Sequence, residues 1–229
     1  VIGRAEGLVL SRIQYQRFRD VLAGLSPDEW AAPVADCPGW SVKDVAGHVL
    51  GGLECVAKPK EFVRQAREGR RLDPHVTQGL NAYQVVYYGA LSPAEVLSRI
   101  DGTVDRALRG RARTPWLLRH LVRPKLDVMG RTPMAFVLDT IYTRDTFIHR
   151  IDLCRATGRE VLADEVEARI VEDMAGEWLA RHGQPVTLVV DGATYGAGGE
   201  RIETTAVEFA RNVSGRGDPE GLLKTPVQV

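Results

Sequence analysis

The chain has 229 residues, 44% of them hydrophobic, which is enough for a full core in one large domain or two modest ones. Lys plus Arg equals Asp plus Glu at 30 each, so no global field directs the chain to nucleic acid or to an anionic membrane. Apolar runs such as Val186–Val190 are too short to span a bilayer, no basic-then-apolar signal segment opens the chain, and three scattered cysteines (Cys37, Cys55, Cys154) argue against a disulfide framework. The expectation is a cytoplasmic protein with no nucleic-acid or membrane partner.

In chain order, residues from about Ala5 to Leu25 place Leu8, Val9, Ile13, Phe18, Val21 and Leu22 at helical spacing and predict a first helix. "SPDEW" at Ser26 is a turn with a fresh N-cap. In "CPGWSVKD", Ser41-x-x-Asp44 is a variant of the capping box, and it opens a second helix carrying Val42, Val45, Val49 and Leu53. "LSPAEV" repeats the device, with Ser92 as cap, Pro93 at the first helical position and Glu95 as reciprocal partner. After an irregular Arg-rich connection from about Gly110 to Arg131, "RTPMAF" does so again. Thr132 caps and Pro133 leads a fourth helix that runs through "YTRDTFIHRIDLCRATG". Four long helices make a four-helix bundle the economical solution for residues 1–160.

Beyond Gly158 the texture changes. "ADEVEARIVEDMAGEWLARHG" is a further amphipathic helix closed by Gly183. "PVTLVVDG" and "ERIETTAV" read as strands around the glycine-rich turn "GATYGAGG", "AVEFARNVSGRG" as a short helix, and "DPEGLLKTPVQV" as a tail. These residues, 161–229, predict a small α+β domain after the bundle, so the fold class is α+β.

The fourth helix poses a problem of burial. Positions 137, 138, 141, 145, 148, 149 and 152 share one face, and Val137, Leu138, Ile141 and Ile148 are joined there by Asp145, His149 and Asp152. Inward carboxylates and imidazoles need a partner. Asp145 and His149, spaced i, i+4, suit a metal, and His48 is a third donor from the second helix, with Gly47, Gly51 and Gly52 leaving room around it. Two imidazole nitrogens and one carboxylate oxygen form an open set of the kind found in catalytic zinc sites. The same spacing also fits a structural role, with Asp145 paired to an arginine on an exposed face and Asp152 paired to Arg155. Asp152 is placed to orient His149. Asp44 caps its helix or contacts His48 four residues on. Cys37 reads as a packed small hydrophobe and Trp40 as a bundle-end core residue or a pocket wall.

"CPGWSVKDVAGHV" and "RDTFIHRIDLCRATG" together resemble the mycothiol-dependent maleylpyruvate isomerase family, within the DinB-like superfamily of metal-binding four-helix bundles. The resemblance covers nearly the whole chain. It implies a DinB-like bundle in which His48, Asp145 and His149 hold a divalent metal, zinc, with Asp152 and Asp44 behind them. It also implies mycothiol or a related low-molecular-weight thiol as cosubstrate, used to isomerise, or to transfer sulfur to, a small electrophile such as a carboxylate. Arg216 in "VEFARNVSGRG" matches the family's arginine after glycine and is the implied catalytic clamp for a substrate carboxylate, with Arg211 as fallback. The family has Glu where this chain has Asp145. Two rival readings remain beside it: a metal-dependent hydrolase using the same ligands and bound water, and a non-catalytic dimeric binding or regulatory module. The partners expected are the thiol and the small electrophile, the assembly a monomer or homodimer.

Overall fold

Helix α1 (Arg4–Ala23) begins at Gly3 without a side-chain cap and ends at Gly24. A capped turn, α2 (Pro27–Trp30), leads to α3 (Val42–Ala57), where Ser41 and Asp44 bond each other's backbone N–H in a full capping box. Helix α6 (Pro93–Arg113) opens with the same device, Ser92 and Glu95. Between α3 and α6 lie α4 (Pro59–Gly69) and α5 (Val76–Tyr88), which the sequence reading passed over. They pack on each other and on α3 through glycines. A Cβ on Gly51 would lie 2.5 Å from Gln84 Cγ, and one on Gly69 2.5 Å from the Gly79 carbonyl oxygen.

The structure, a computed structural model, describes residues 1–126 and 128–229. The connection expected to be irregular up to Arg131 holds the short helix α7 (Trp116–Leu121) and a two-stranded ribbon, β1 (Lys125–Leu126) with β2 (Gly130–Arg131); its position 127 lies outside the described residues. The fourth helix is not continuous from Pro133. A single turn, α8 (Met134–Phe136), passes through a π-helical turn over Val137–Ile141 into α9 (Tyr142–Ala156). Thr132 does not cap it: Pro133 occupies the N-cap without a side-chain bond, while the Thr132 hydroxyl donates to the Gly130 carbonyl at 3.3 Å.

Helices α1, α3, α6 and α9 form the four-helix bundle. Its core is built from Phe18, Leu22, Trp30, Val45, Val49, Leu53, Tyr88, Ile100, Leu108 and Leu153. Next comes α10 (Glu165–His182), N-capped by Asp164 and closed by Gly183 in the left-handed region at φ 64°. The segment read as a glycine-rich turn contains a strand. β3 (Val186–Val190) pairs antiparallel with β4 (Ala193–Ala197) on one side and parallel with β5 (Glu200–Thr204) on the other, giving the order β4-β3-β5. The chain therefore crosses the start of β3 in two residues. Gly199 does this at φ 57°, where a Cβ would sit 1.8 Å from the Pro185 carbonyl oxygen, so no side chain fits. Helix α11 (Ala206–Val213) follows, capped by Thr205.

A second apolar cluster joins these elements to the bundle. Trp178, Leu188, Phe209 and Val213 pack with Ile2 and Leu10 of the N-terminal stretch and with Phe147, Ile148 and Ile151 of α9. Buried charge reinforces the junction: Glu167 of α10 accepts from Gln14 and Arg150 at 2.6 Å each and also pairs with Arg17, which reaches Asp164 at 2.6 Å. The Arg17 guanidinium, with the Val166 N–H, holds the Asp164 carboxyl at about 2. This depressed value stabilises the docked helix above the ordinary carboxylate range, and the contribution is lost as pH falls toward about 2. Asp164→Ala is expected to cost ~1–2 kcal/mol at neutral pH, the usual size of a lost N-cap. Its deficit in melting temperature should shrink between pH 4 and pH 2, on the order of its folded and ordinary values. A deficit constant across that window would refute the assignment.

Candidate metal centre

The Ser41–Asp44 box sets where α3 starts, and two turns on it projects His48 into the bundle. Helix α9 faces it with Asp145 and His149 one turn apart. Asp145 Oδ1 lies 3.7 Å from His48 Nε2 and 3.4 Å from His149 Nε2, and the three donor atoms fall within 4.8 Å of one another. The aspartate, one methylene shorter than the family's glutamate, thus reaches both imidazoles. The rings of His48 and His149 meet edge to face at 4.9 Å.

The other side of His149 is equally fixed. Its Nδ1 lies 2.9 Å from Asp152 Oδ2, and Asp152 is fully buried. Arg216, from the loop after α11, donates Nε and Nη2 to the two oxygens of Asp152 at 2.8 and 3.0 Å. The Cys37 thiol donates to Asp152 Oδ2 at 3.5 Å. A line of contacts therefore runs Arg216–Asp152–His149–Asp145–His48 from the C-terminal segment into the bundle.

Electrostatics follow this geometry. Burial alone would raise the Asp145 carboxyl, but His149 and His48 outweigh it and hold it well below the ordinary range. Burial would lower His149, and the facing carboxylates of Asp145 and Asp152 instead raise it well above its ordinary value. Asp152 feels the same penalty, yet the His149 N–H and Arg216 bring it to about 2.

The donor set fits a zinc-type ion. An imidazole that donates Nδ1–H to Asp152 has a lone pair on Nε2, which here points at a carboxylate oxygen 3.4 Å away. Two electron-rich atoms placed so need a cation between them, a proton or a metal. Bonds of about 2.0–2.1 Å to a tetrahedral ion would set neighbouring donors ~3.3–3.4 Å apart. The observed 3.4 and 3.7 Å lie close to that edge.

Not every sequence expectation is met in place. Asp44 is not brought to His48: its Oδ2 takes the Ser41 N–H at 2.8 Å and the Ser41 hydroxyl at 2.7 Å, and His48 Nδ1 has no partner among the described residues. Gly47 and Gly51 make room for α5, not for His48, since a Cβ on Gly47 would lie 3.1 Å from Tyr88 Cβ; Gly52 alone of the three faces toward α9, at Tyr142. Asp152 pairs with Arg216 and His149, not with Arg155, which turns to Asp36 and Glu208. Arg211 is committed to Asp36, through both Nε and Nη2.

Trp40 walls the site, its ring 5.4 Å from His48 and 6.4 Å from His149, nearly parallel to the latter. Sequence reasoning missed Asp36, and it read Cys37 as packing alone without its contact to Asp152. Asp36 takes Arg211 and the Gly217 N–H at 3.3 Å and so anchors the loop that carries Arg216. Their one signal was position: both sit in the turn that launches α3.

These features define a class: a helical bundle with two imidazoles and a carboxylate gathered at one point, and a C-terminal α+β segment whose Arg216 reaches the carboxylate behind one imidazole. The family described as the mycothiol maleylpyruvate isomerase N-terminal domain matches residues 11–154, and the chain belongs to that family. The fold also matches the crystal structure of the mycothiol-dependent maleylpyruvate isomerase, at 18% identity and TM-score 0.62, over 94% of this chain and 90% of that one. A histidine-to-alanine mutant of that isomerase matches at 17% identity with the same TM-score and coverage. No curated protein matches the chain.

Proposed function

We propose that the protein is a metal-dependent enzyme of thiol chemistry, in which His48, Asp145 and His149 hold a divalent ion, zinc, and a low-molecular-weight thiol such as mycothiol attacks a small electrophile. The convergence of three donor atoms within 4.8 Å carries this reading. When bound, such an ion lowers the pKa of a thiol that reaches it and so supplies a nucleophile at neutral pH. The residues do the rest. Asp152 keeps the His149 proton on Nδ1 and its lone pair inward. Trp40 covers the two imidazoles and keeps water from them. In the reaction proposed, the thiolate sulfur bonds to one carbon of a cis double bond while its π pair moves onto the conjugated carbonyl as an enolate, the resulting single bond rotates, and return of the pair breaks the C–S bond to give back the thiolate and the trans alkene.

Residues 1–160 carry the metal and residues 161–229 cover it, a division we adopt as the functional one. The protein acts in the cytoplasm, where such thiols are kept reduced. The hydrolase reading uses the same three donors, and the non-catalytic reading uses none. Metal analysis of untreated protein, followed by turnover of an electrophile with and without added thiol, separates all three. Metal absent from the protein would favour the non-catalytic module, and turnover without thiol would favour the hydrolase.

Arg216 has two parts in this proposal. A guanidinium has five N–H bonds. Three of them go to Asp152 and to the Ser214 carbonyl. The remaining two serve a substrate carboxylate. Arg216→Lys keeps the charge and loses the fork. It is expected to reduce kcat/KM about tenfold more for an acidic electrophile than for a neutral one, on the order of one lost charged hydrogen bond. Equal losses for both would mean that Arg216 acts only through Asp152.

A further inference from the structure

Helix α7 is built inside out. Its charged Arg119 is 4% exposed, pairing with Asp139 and donating to the Arg111 carbonyl, whereas Trp116, Leu117, Leu118 and Leu121 are 64, 60, 52 and 67% exposed. Val122 follows at 41%. Isolated exposed apolar side chains are ordinary on a protein surface, but five among the seven residues 116–122 make a patch that calls for an explanation.

Cations surround it. Arg113 precedes the helix, Arg123 follows it, and Lys125 and Arg131 are exposed in the ribbon. Lys125 and Arg131 stand directly opposite each other in the β1–β2 register. Like charges so placed repel. Against these cations the stretch 113–131 holds one acid, Asp127. The balanced total charge conceals this local excess.

Apolar and aromatic tips flanked by Arg and Lys are the chemistry of a surface that lies on an anionic bilayer. The alternatives fit less well. A second copy docked symmetrically would set each group of cations against its own image. Nucleic acid would use the cations but not five exposed apolar side chains. We propose that the face formed by α7 and the β1–β2 ribbon binds the headgroup region of an anionic membrane, peripherally, with Trp116 and Leu121 at the interface. No described helix is long and apolar enough to cross a membrane, so attachment by this face would be reversible. This inference does not depend on the metal or the thiol.

The test is sedimentation of the full chain with phosphatidylcholine vesicles, pure or mixed equally with phosphatidylglycerol. Expected is binding to the mixed vesicles only, released by salt as the charges are screened. A blue shift in tryptophan emission should accompany it and should come from Trp116, the exposed one of the four tryptophans, since Trp30 and Trp178 are buried and Trp40 is half-buried against His48 and His149. Lys125→Gln and Arg131→Gln should each weaken binding about fivefold, the usual share of one cation near such a surface. Trp116→Ala, at an exposed position, should remove the shift with the far-UV spectrum unchanged. Absence of binding to mixed vesicles at low salt, or equal binding to both kinds, would overturn the proposal. So would a chain that dimerises through this face, shown by Leu121→Ser yielding monomers, or one that binds duplex DNA in preference to vesicles without the Trp116 shift.

Discussion

Replacing His149 by alanine is expected to abolish retention of a divalent metal while leaving the helical far-UV signal largely intact. Its Nε2 lies 3.4 Å from Asp145 Oδ1, and its Nδ1 is held by Asp152 at 2.9 Å, so this ring is the one link between the donors and their support. Loss of an outer partner typically costs 10–100-fold in metal affinity, and loss of a donor from an open set of three should exceed that range. The fold should survive because α9 is gripped elsewhere, by Phe147, Ile148 and Ile151 in the apolar cluster and by Arg144 on Asp173 at 2.7 Å. Metal-to-protein ratio after gel filtration, read beside circular dichroism, decides the matter. Full stoichiometry in the variant would mean that the metal, if any, sits elsewhere.

The second large effect belongs to Asp152. Its carboxylate takes two bonds from Arg216 and one from His149 with no exposure to water. Asp152→Asn removes the charge that both donors need and leaves a buried guanidinium uncompensated, a defect that costs ~3–5 kcal/mol. Metal affinity should fall as well, by about 10–100-fold, because His149 loses the partner that fixes its tautomer. Stability and metal binding can be separated by a second change. Adding Arg216→Met should recover much of the stability, since it removes the uncompensated buried charge, but not the metal affinity. Denaturant midpoints and metal titration of the single and double variants provide the readout. A single variant less than about 1 kcal/mol weaker would show the pair to be solvated.

The parts of this picture legible in the sequence are those governed by neighbours in the chain. Capping boxes at Ser41 and Ser92 depend on residues three apart, and both formed. The inward face of the fourth helix depends on spacing alone, and Asp145, His149 and Asp152 do turn toward one another. Contacts set by distant segments were not legible. Helices α4 and α5 were passed over because α5 has a weak apolar stripe and α4 buries only Gln65 and Gly69; close glycine contacts, not a large buried face, hold them to each other and to α3. Arg216 was expected as a clamp for a substrate carboxylate, and its contact with Asp152, a partner 64 residues away, is one that no local pattern could name. Asp44 shows the opposite error. Its i, i+4 relation to His48 was real, but Ser41, three residues before it, had the stronger claim on its carboxylate. The strand β4 was hidden by Gly196 and the glycines flanking it, which read as a turn although Gly196 pairs with Thr187 in the ladder.

Helix α9 has almost no outer side. From Thr143 to Cys154 every residue except Asp145 is buried, against α1 and α3 on one hand and α10 and α11 on the other. Such an element has lost the freedom that surface helices keep, where one face can drift while the other holds. Change at nearly any of its positions is felt by some neighbour, so a substitution there has to be absorbed by the helices around it.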